Sequence, residues 1–189
     1  MEYITSRMNK TMLKNAPEGF KIHEANYVGV VDMFGVDCQR KDFNSLEQLL
    51  MNYTAEKIHQ ITVQKIFKEE QELCRQEGIM VGDTSCPDNI RVLEFFDKRA
   101  TGLLSSLTTD CRFDRVTDTA SLQGFVRGRK QNSDVWSLPN FEDYVHEEDG
   151  EQERAKERAL CKLSLVVKHY TQEKVRYNFN GFLDTNKYF

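Results

Sequence analysis

The chain has 189 residues, 39% hydrophobic and 30% charged, enough to bury a real core at an ordinary polar balance. A net charge of -4 gives no global attraction to nucleic acid or an anionic membrane surface, and no apolar run approaches the roughly 18 residues of a bilayer-spanning helix. Nucleic-acid binding and membrane insertion are therefore not expected. The five cysteines are widely spaced and form no CxxC or Cys/His cluster, so reduced thiols in the cytosol are expected rather than a zinc site.

Tyr3 to Leu13 reads as a short helix with Ile4, Met8 and Met12 on one face. Lys14 to Gly19 is turn chemistry, and Phe20 to His23 suits a brief strand. The run Tyr27-Val28-Gly29-Val30-Val31 is apolar and β-branched, as a buried strand is. It ends on Asp32, and Gly35 follows three residues later. A buried strand ending in Asp is how P-loop nucleotidases hold Mg²⁺, and a nearby glycine lets a backbone N–H reach a γ-phosphate. The same D-x-x-G is equally an ordinary strand-to-loop turn.

A very long helix is predicted from Ser45 to Glu77. Ser45 with Gln48, or Asn44 with Glu47, offers a capping box. Leu46, Leu49, Leu50 and Tyr53 follow at i, i+3, i+4, i+7, and Ile58, Ile61, Ile66 and Phe67 carry an apolar stripe onward. No proline interrupts, and Gly78 is a natural stop. At 1.5 Å per residue this makes a rod of about 50 Å.

Met80 to Asn89 reads as a polar connector. Asp88 or Asn89 can cap a helix through Lys98 that turns Ile90, Leu93 and Phe96 inward. Ala100 to Thr109 reads as a helix carrying Leu103, Leu104 and Leu107, and Asp118 to Lys130 as another carrying Leu122, Phe125 and Val126. Arg127, Arg129 and Lys130 form a basic cluster, read either as a solvated helix end or as a contact for an acidic polymer. Trp136, Phe141 and Tyr144 are expected to pin their segment to the core. Glu147 to Arg158 reads as an exposed loop or a solvated helical turn. Leu163, Leu165 and Val167 alternate with Lys162, Ser164 and Lys168, and Val175, Tyr177 and Phe179 repeat the pattern, which predicts a half-buried β-hairpin. The four histidines lie far apart and read as structural or exposed.

Asp32-Met33-Phe34-Gly35-Val36-Asp37 resembles switch II of the myosin motor (head) domain, whose pattern is D-I-x-G-F-E. Phe43 to Leu49, then Asn52-Tyr53 and Glu56-Lys57, resemble the start of the myosin relay helix; Glu70-Gln71-Glu72 and Glu77-Gly78-Ile79 resemble its far end. Further on, Thr101-Gly102-Leu103-Leu104, Asp110-Cys111-Arg112-Phe113 and Thr117-Asp118-Thr119 are similar to runs in the same order in that family. So are His169-Tyr170, Val175-x-Tyr177 and Gly181-Phe182-Leu183. The likeness runs from near residue 3 to near residue 187 and is weakest at about 127 to 160.

This resemblance implies an α/β P-loop NTPase-type motor fragment. It would be mainly α-helical, with one long helix, a buried strand before the switch II-like loop and a C-terminal β-hairpin. The implied division is helix and strand over 3–31, switch II-like loop over 32–43, relay-like helix over 44–78 and lower actin-binding-cleft subdomain over 79–189. The implied function is part of an actin-based, ATP-driven cytoplasmic motor of the cytoskeleton. The nucleotide-binding residues would be Asp32, Gly35 and Asp37: Asp32 holding Mg²⁺ through water, Gly35 and Asp37 acting in catalysis. The implied partners are the actin filament and the remainder of the motor domain. No P-loop of the form G-x-x-x-x-G-K-[ST], no switch I and no actin-binding helix-loop-helix occurs in the sequence, so the chain by itself is expected to be inactive. Val36 and Asp37 depart from the family's Phe and Glu. That departure keeps a second expectation open, a degenerate, non-hydrolysing module that binds actin or another partner.

Overall fold

The computed structural model describes residues 2–14, 35–38, 44–82, 88–129, 134–146 and 149–187. Two units are present, residues 1–33 and 34–189. In the first, α1 (Glu2–Lys14) forms as expected, with Ile4 and Met8 exposed. The strands predicted at 20–23 and 27–31, and Asp32, lie outside the described residues.

The second unit is built on the predicted rod. α2 (Leu46–Thr62) runs without a break into a π-helical stretch (Val63–Glu69) and then α3 (Glu70–Gln76), about 45 Å in all at 1.5 Å per residue. The rod stops where Gly78 takes φ +73°, a left-handed conformation that costs a Cβ-bearing residue dearly. The start differs from expectation. Ser45 occupies the N-cap position in extended backbone but makes no cap hydrogen bond; its hydroxyl donates to Glu47 Oε2 (2.5 Å). The Gln48 amide that would complete the box points to the preceding loop instead. The apolar stripe also divides in two. Leu46, Leu49, Ala55 and Val63 are buried, whereas Ile61 and Ile66 are 60% and 59% exposed and α3 buries nothing. The β-branched run Ile61-Thr62-Val63 weakens the α-helical preference at the entrance to the π stretch, and the wider turn rotates the later side chains off the earlier face.

Helices α4 (Ile90–Asp97), α5 (Leu103–Asp110) and α6 (Asp118–Arg127) follow. The inward face of α4 is Val92, Leu93, Phe95 and Phe96; Ile90, predicted to face the core, is 44% exposed. α5 starts three residues later than predicted because Ala100 sits at φ +66° and breaks the helical path. A Cβ on Gly102 would lie 2.6 Å from Lys98 N and Phe96 O, so only glycine lets the α4–α5 corner close this tightly. Thr117 caps α6 by accepting from Ala120 N (3.2 Å). The Asp118 carboxylate reaches across to accept from Gly181 N and Leu183 N (2.8 and 3.0 Å), fixing the start of α8 (Phe182–Asn186).

A three-stranded antiparallel sheet, β1 (Trp136–Ser137), β2 (Ser164–Lys168) and β3 (Lys174–Asn178), contains the predicted hairpin, paired Leu165 to Tyr177 and Val167 to Val175. It is not half-buried: Ser164 through Val167 are all covered, as are Val175 through Asn178. Of the two readings of the polar run before it, the solvated helix holds rather than the loop, and it is longer than a turn. A short 3-10 turn (Phe141–Tyr144) precedes α7 (Glu151–Lys162), a full helix rich in Glu, Ala, Arg and Lys that buries no residue completely. α7 is tied down by Glu157, whose carboxylate meets the buried Arg176 guanidinium of β3 at 2.6 Å; that guanidinium also lies 4.2 Å over the Tyr144 ring. Trp136 is buried among Phe95 and Phe125, as expected, while Phe141 is only half-covered. The basic cluster does not project as a unit. Arg129 folds onto the Phe125 ring (3.7 Å) and donates to the carbonyls of Phe125 and Thr101, and Lys130 lies outside the described residues.

Candidate functional site

The described part of the switch II-like loop, Gly35 to Cys38, is held against the first half of the rod. Three polar residues of α2, Gln48, Asn52 and Glu56, stand at i, i+4 and i+8 and so share one face. All three are buried, with Asn52 and Glu56 fully so. Buried polar groups of this kind are costly unless every one is paired.

Asn52 uses its whole amide. Its Oδ1 accepts from Asp37 N (2.9 Å) and Gln48 Nε2 (3.1 Å); its Nδ2 donates to Asp37 O (2.8 Å) and the Tyr177 hydroxyl (2.6 Å). Gln48 Nε2 adds a second bond to Asp37 O (3.1 Å). The peptide groups on both sides of the Asp37 Cα are thus clamped by the rod, as a neighbouring strand would clamp them.

The network continues into the hairpin. His169 Nε2 lies 2.8 Å from the Tyr177 hydroxyl and His169 Nδ1 lies 2.8 Å from Glu56 Oε1. Asn52 Nδ2 can only donate, so the Tyr177 oxygen accepts there. With the Tyr177 proton on His169 Nε2, the imidazole proton sits on Nδ1 and faces Glu56. Glu56 also accepts from Tyr170 N (2.9 Å) and Asn89 Nδ2 (2.5 Å), which brings in the hairpin end and the start of α4. Burial pushes the Tyr177 phenol well above its usual range and keeps it a neutral donor. His59 stacks on Tyr170 (4.0 Å between centroids) and Phe96 on His169 (6.0 Å). One hydrogen-bonded chain therefore joins the loop, the rod, the hairpin and α4.

Of the residues predicted for a site, Gly35 and Asp37 are brought together in this loop. Both are exposed, and neither the Gly35 N–H nor the Asp37 carboxylate has a partner among the described residues. A Cβ on Gly35 would meet only the Tyr170 hydroxyl, at 3.8 Å, so the protein itself does not demand glycine there. Val36 turns inward and packs on the core. Gln48, Asn52, Glu56, His169 and Tyr177 were not singled out as a unit from the sequence. The signal that could have found them is the polar spacing of four along an otherwise apolar helix face.

The profile described as myosin head (motor domain) matches residues 1–188. The chain is 33% identical to the myosin-I heavy chain of Dictyostelium discoideum over 88% of its own length and 6% of that protein. It is 29% identical to the myosin-M heavy chain of the same organism, over 95% of this chain and 9% of that protein. Unconventional myosin-IXAa of Danio rerio is 29% identical over 98% of this chain and 6% of its own. The chain thus spans a small part of the relatives it matches. Since the match covers the loop, the rod and the hairpin together, the chain belongs to the myosin head (motor domain) family.

Proposed function

We propose that this chain is part of an actin-based, ATP-driven motor, in which loop 35–38 senses the nucleotide and the rod carries its displacement away. The observation that supports this most is the clamp on Asp37: both its N–H and its carbonyl are bound by side chains of α2. Any movement of the loop therefore moves the rod, unless buried hydrogen bonds are broken.

The exposed edge of the loop suits a phosphate. Gly35 has an N–H without a partner among the described residues and room where a side chain would stand, so it would donate to the terminal phosphate. Asp37 is exposed, its carboxylate has no partner among the described residues, and it would pair with an arginine of the remainder of the motor domain. Asp32 would hold Mg²⁺ through a water molecule. ATP with Mg²⁺ would supply the phosphoryl group whose presence or absence sets the loop. The actin filament is the proposed track, and the cytoplasm and cytoskeleton the proposed location. No helix among the described residues is long and apolar enough to cross a membrane.

A second reading, a module that binds actin or another partner without hydrolysing ATP, draws on Val36 and Asp37. Asp37 is one methylene shorter than the family's glutamate, which stretches any pair across the site. Replacing the matched segment of the Dictyostelium discoideum myosin-I heavy chain with residues 1–188 decides between the two. Turnover of Mg²⁺-ATP that rises with actin filaments supports the motor. Nucleotide and actin binding without turnover supports the module, and failure to bind either refutes both. The isolated chain is expected to release no phosphate above buffer, because it brings neither a P-loop nor a switch I arginine.

A further inference from the structure

Helices α6 and α7 lie on either side of the stretch 138–141 and leave a groove of about 460 Å³ between them. Its floor is apolar: Leu122 and Val126 from α6, then Leu138 and Phe141, with Leu138 44% exposed. Three cations, Arg127, Arg158 and Lys162, stand along the edge, and no acidic residue lines the groove among the described residues. None of the three takes part in an ion pair among those residues. In a chain of net charge -4 this is a local reversal of sign.

Arg127 and Lys162 close the last turns of α6 and α7, where a cation also complements the helix dipole. Arg158 stands more than one turn before the end of α7, so the dipole does not account for it. Its guanidinium lies 5.0 Å from the centre of the Phe141 ring, on the groove wall, and donates to no acceptor among the described residues. The volume is within the range of clefts that hold a bound ligand, about 300–1,000 Å³. Half of the lining falls within residues 127–160, the stretch that least resembles the myosin pattern, the rest comes from the flanking turns of α6 and α7, and none of it belongs to the loop clamp.

We propose that the groove between α6 and α7 is a docking site for a short segment of a protein partner that carries bulky apolar residues flanked by carboxylates. The apolar side chains fill the floor, and the carboxylates meet Arg158 and the two helix-end cations. Such a segment could dock as a helix with anchors one turn apart.

The test uses the full chain and a fluorescein-labelled peptide with two leucines one helical turn apart, flanked on both sides by glutamates. Fluorescence anisotropy should show saturable binding that weakens as salt is raised. Exchanging the peptide's glutamates for glutamines should weaken it about tenfold or more, as should Arg158→Glu, the scale of losing complementary charge at an interface rim. Leu138→Asp should abolish binding, while Arg158→Lys should retain most of it. Both Arg158 and Leu138 are exposed, so circular-dichroism melts of the variants should match the parent. No saturable binding, equal affinity for the glutamine peptide, or unaltered binding by Arg158→Glu and Leu138→Asp would overturn the proposal. Binding to phosphatidylserine vesicles in place of the peptide would overturn it too.

Discussion

Asn52→Ala removes the residue on which the loop clamp turns. The substitution deletes four hydrogen bonds: to Asp37 N, Asp37 O, Gln48 Nε2 and the Tyr177 hydroxyl. Asp37 O keeps its bond from Gln48, and Tyr177 keeps its bond to His169, so the main loss is the Asp37 N–H together with a small cavity. An orphaned, partly buried donor costs about 1–3 kcal/mol, and the vacated volume adds to it, giving about 2–4 kcal/mol in all. Tyr177→Phe removes only the hydroxyl, leaving His169 Nε2 without its partner, and should cost about 1–3 kcal/mol. Because the two residues share a bond, the double variant should cost less than the sum by about 0.5–3 kcal/mol. Urea unfolding can be followed through Trp136, the single tryptophan, which is buried in the core. Hydrogen exchange at the Asp37 amide should be protected in the parent and fast in Asn52→Ala. Strict additivity in the cycle, together with an unprotected Asp37 amide in the parent, would refute the clamp.

Other outcomes follow from single contacts. Gly102→Ala should cost about 1–3 kcal/mol of stability, since its Cβ would meet backbone atoms at 2.6 Å, and a thermal melt checks it. Asp118→Ala should free the start of α8 by removing the acceptor of Gly181 N and Leu183 N, seen as faster exchange of those two amides with α6 intact. Burial raises the Cys161 thiol from 9.0 to about 11, with Glu157 adding to the effect. Alkylation of Cys161 at pH 8 should therefore be about a hundredfold slower than that of an unshifted thiol, and should accelerate as pH rises toward 11. The neutral thiol is favoured in the fold, so its contribution to stability is intact below about pH 9 and fades between 9 and 11.

The rod and the hairpin were legible because they depend on local patterns. Leu46, Leu49 and Tyr53 repeat at helical spacing, Gly78 supplies a left-handed stop, and Leu165, Val167, Val175 and Tyr177 alternate. What escaped depends on contacts far apart in the chain. Gln48 looked like half of a capping box, yet its amide is claimed by Asp37, eleven positions earlier. The hairpin's second face looked polar, yet Arg176 is neutralised there by Glu157 of α7. α7 read as either an exposed loop or a solvated helical turn, because its mixed charges carry a strong helical propensity without an apolar stripe to reveal its length. Ile90 read as core by its position after a cap, but α4 turns Val92 and Phe95 inward instead. The site was half legible. Gly35 matched the family pattern and Asp37 kept the charge of the family's glutamate, whereas the residues that clamp Asp37 mean little until the hairpin folds back on the rod.

The most direct test is the single-turnover phosphate burst of a motor domain in which residues 1–188 replace the matched segment of the Dictyostelium discoideum myosin-I heavy chain. If Asp37 pairs with an arginine when the site closes, Asp37→Ala should slow the burst by about 10²-fold or more, the scale of losing one electrostatic group at a reacting centre. Asp37→Glu should match or exceed the parent, and Gly35→Ala should impair the burst while ATP still binds. A burst unchanged in Asp37→Ala would contradict the account and leave the loop as part of a non-catalytic module.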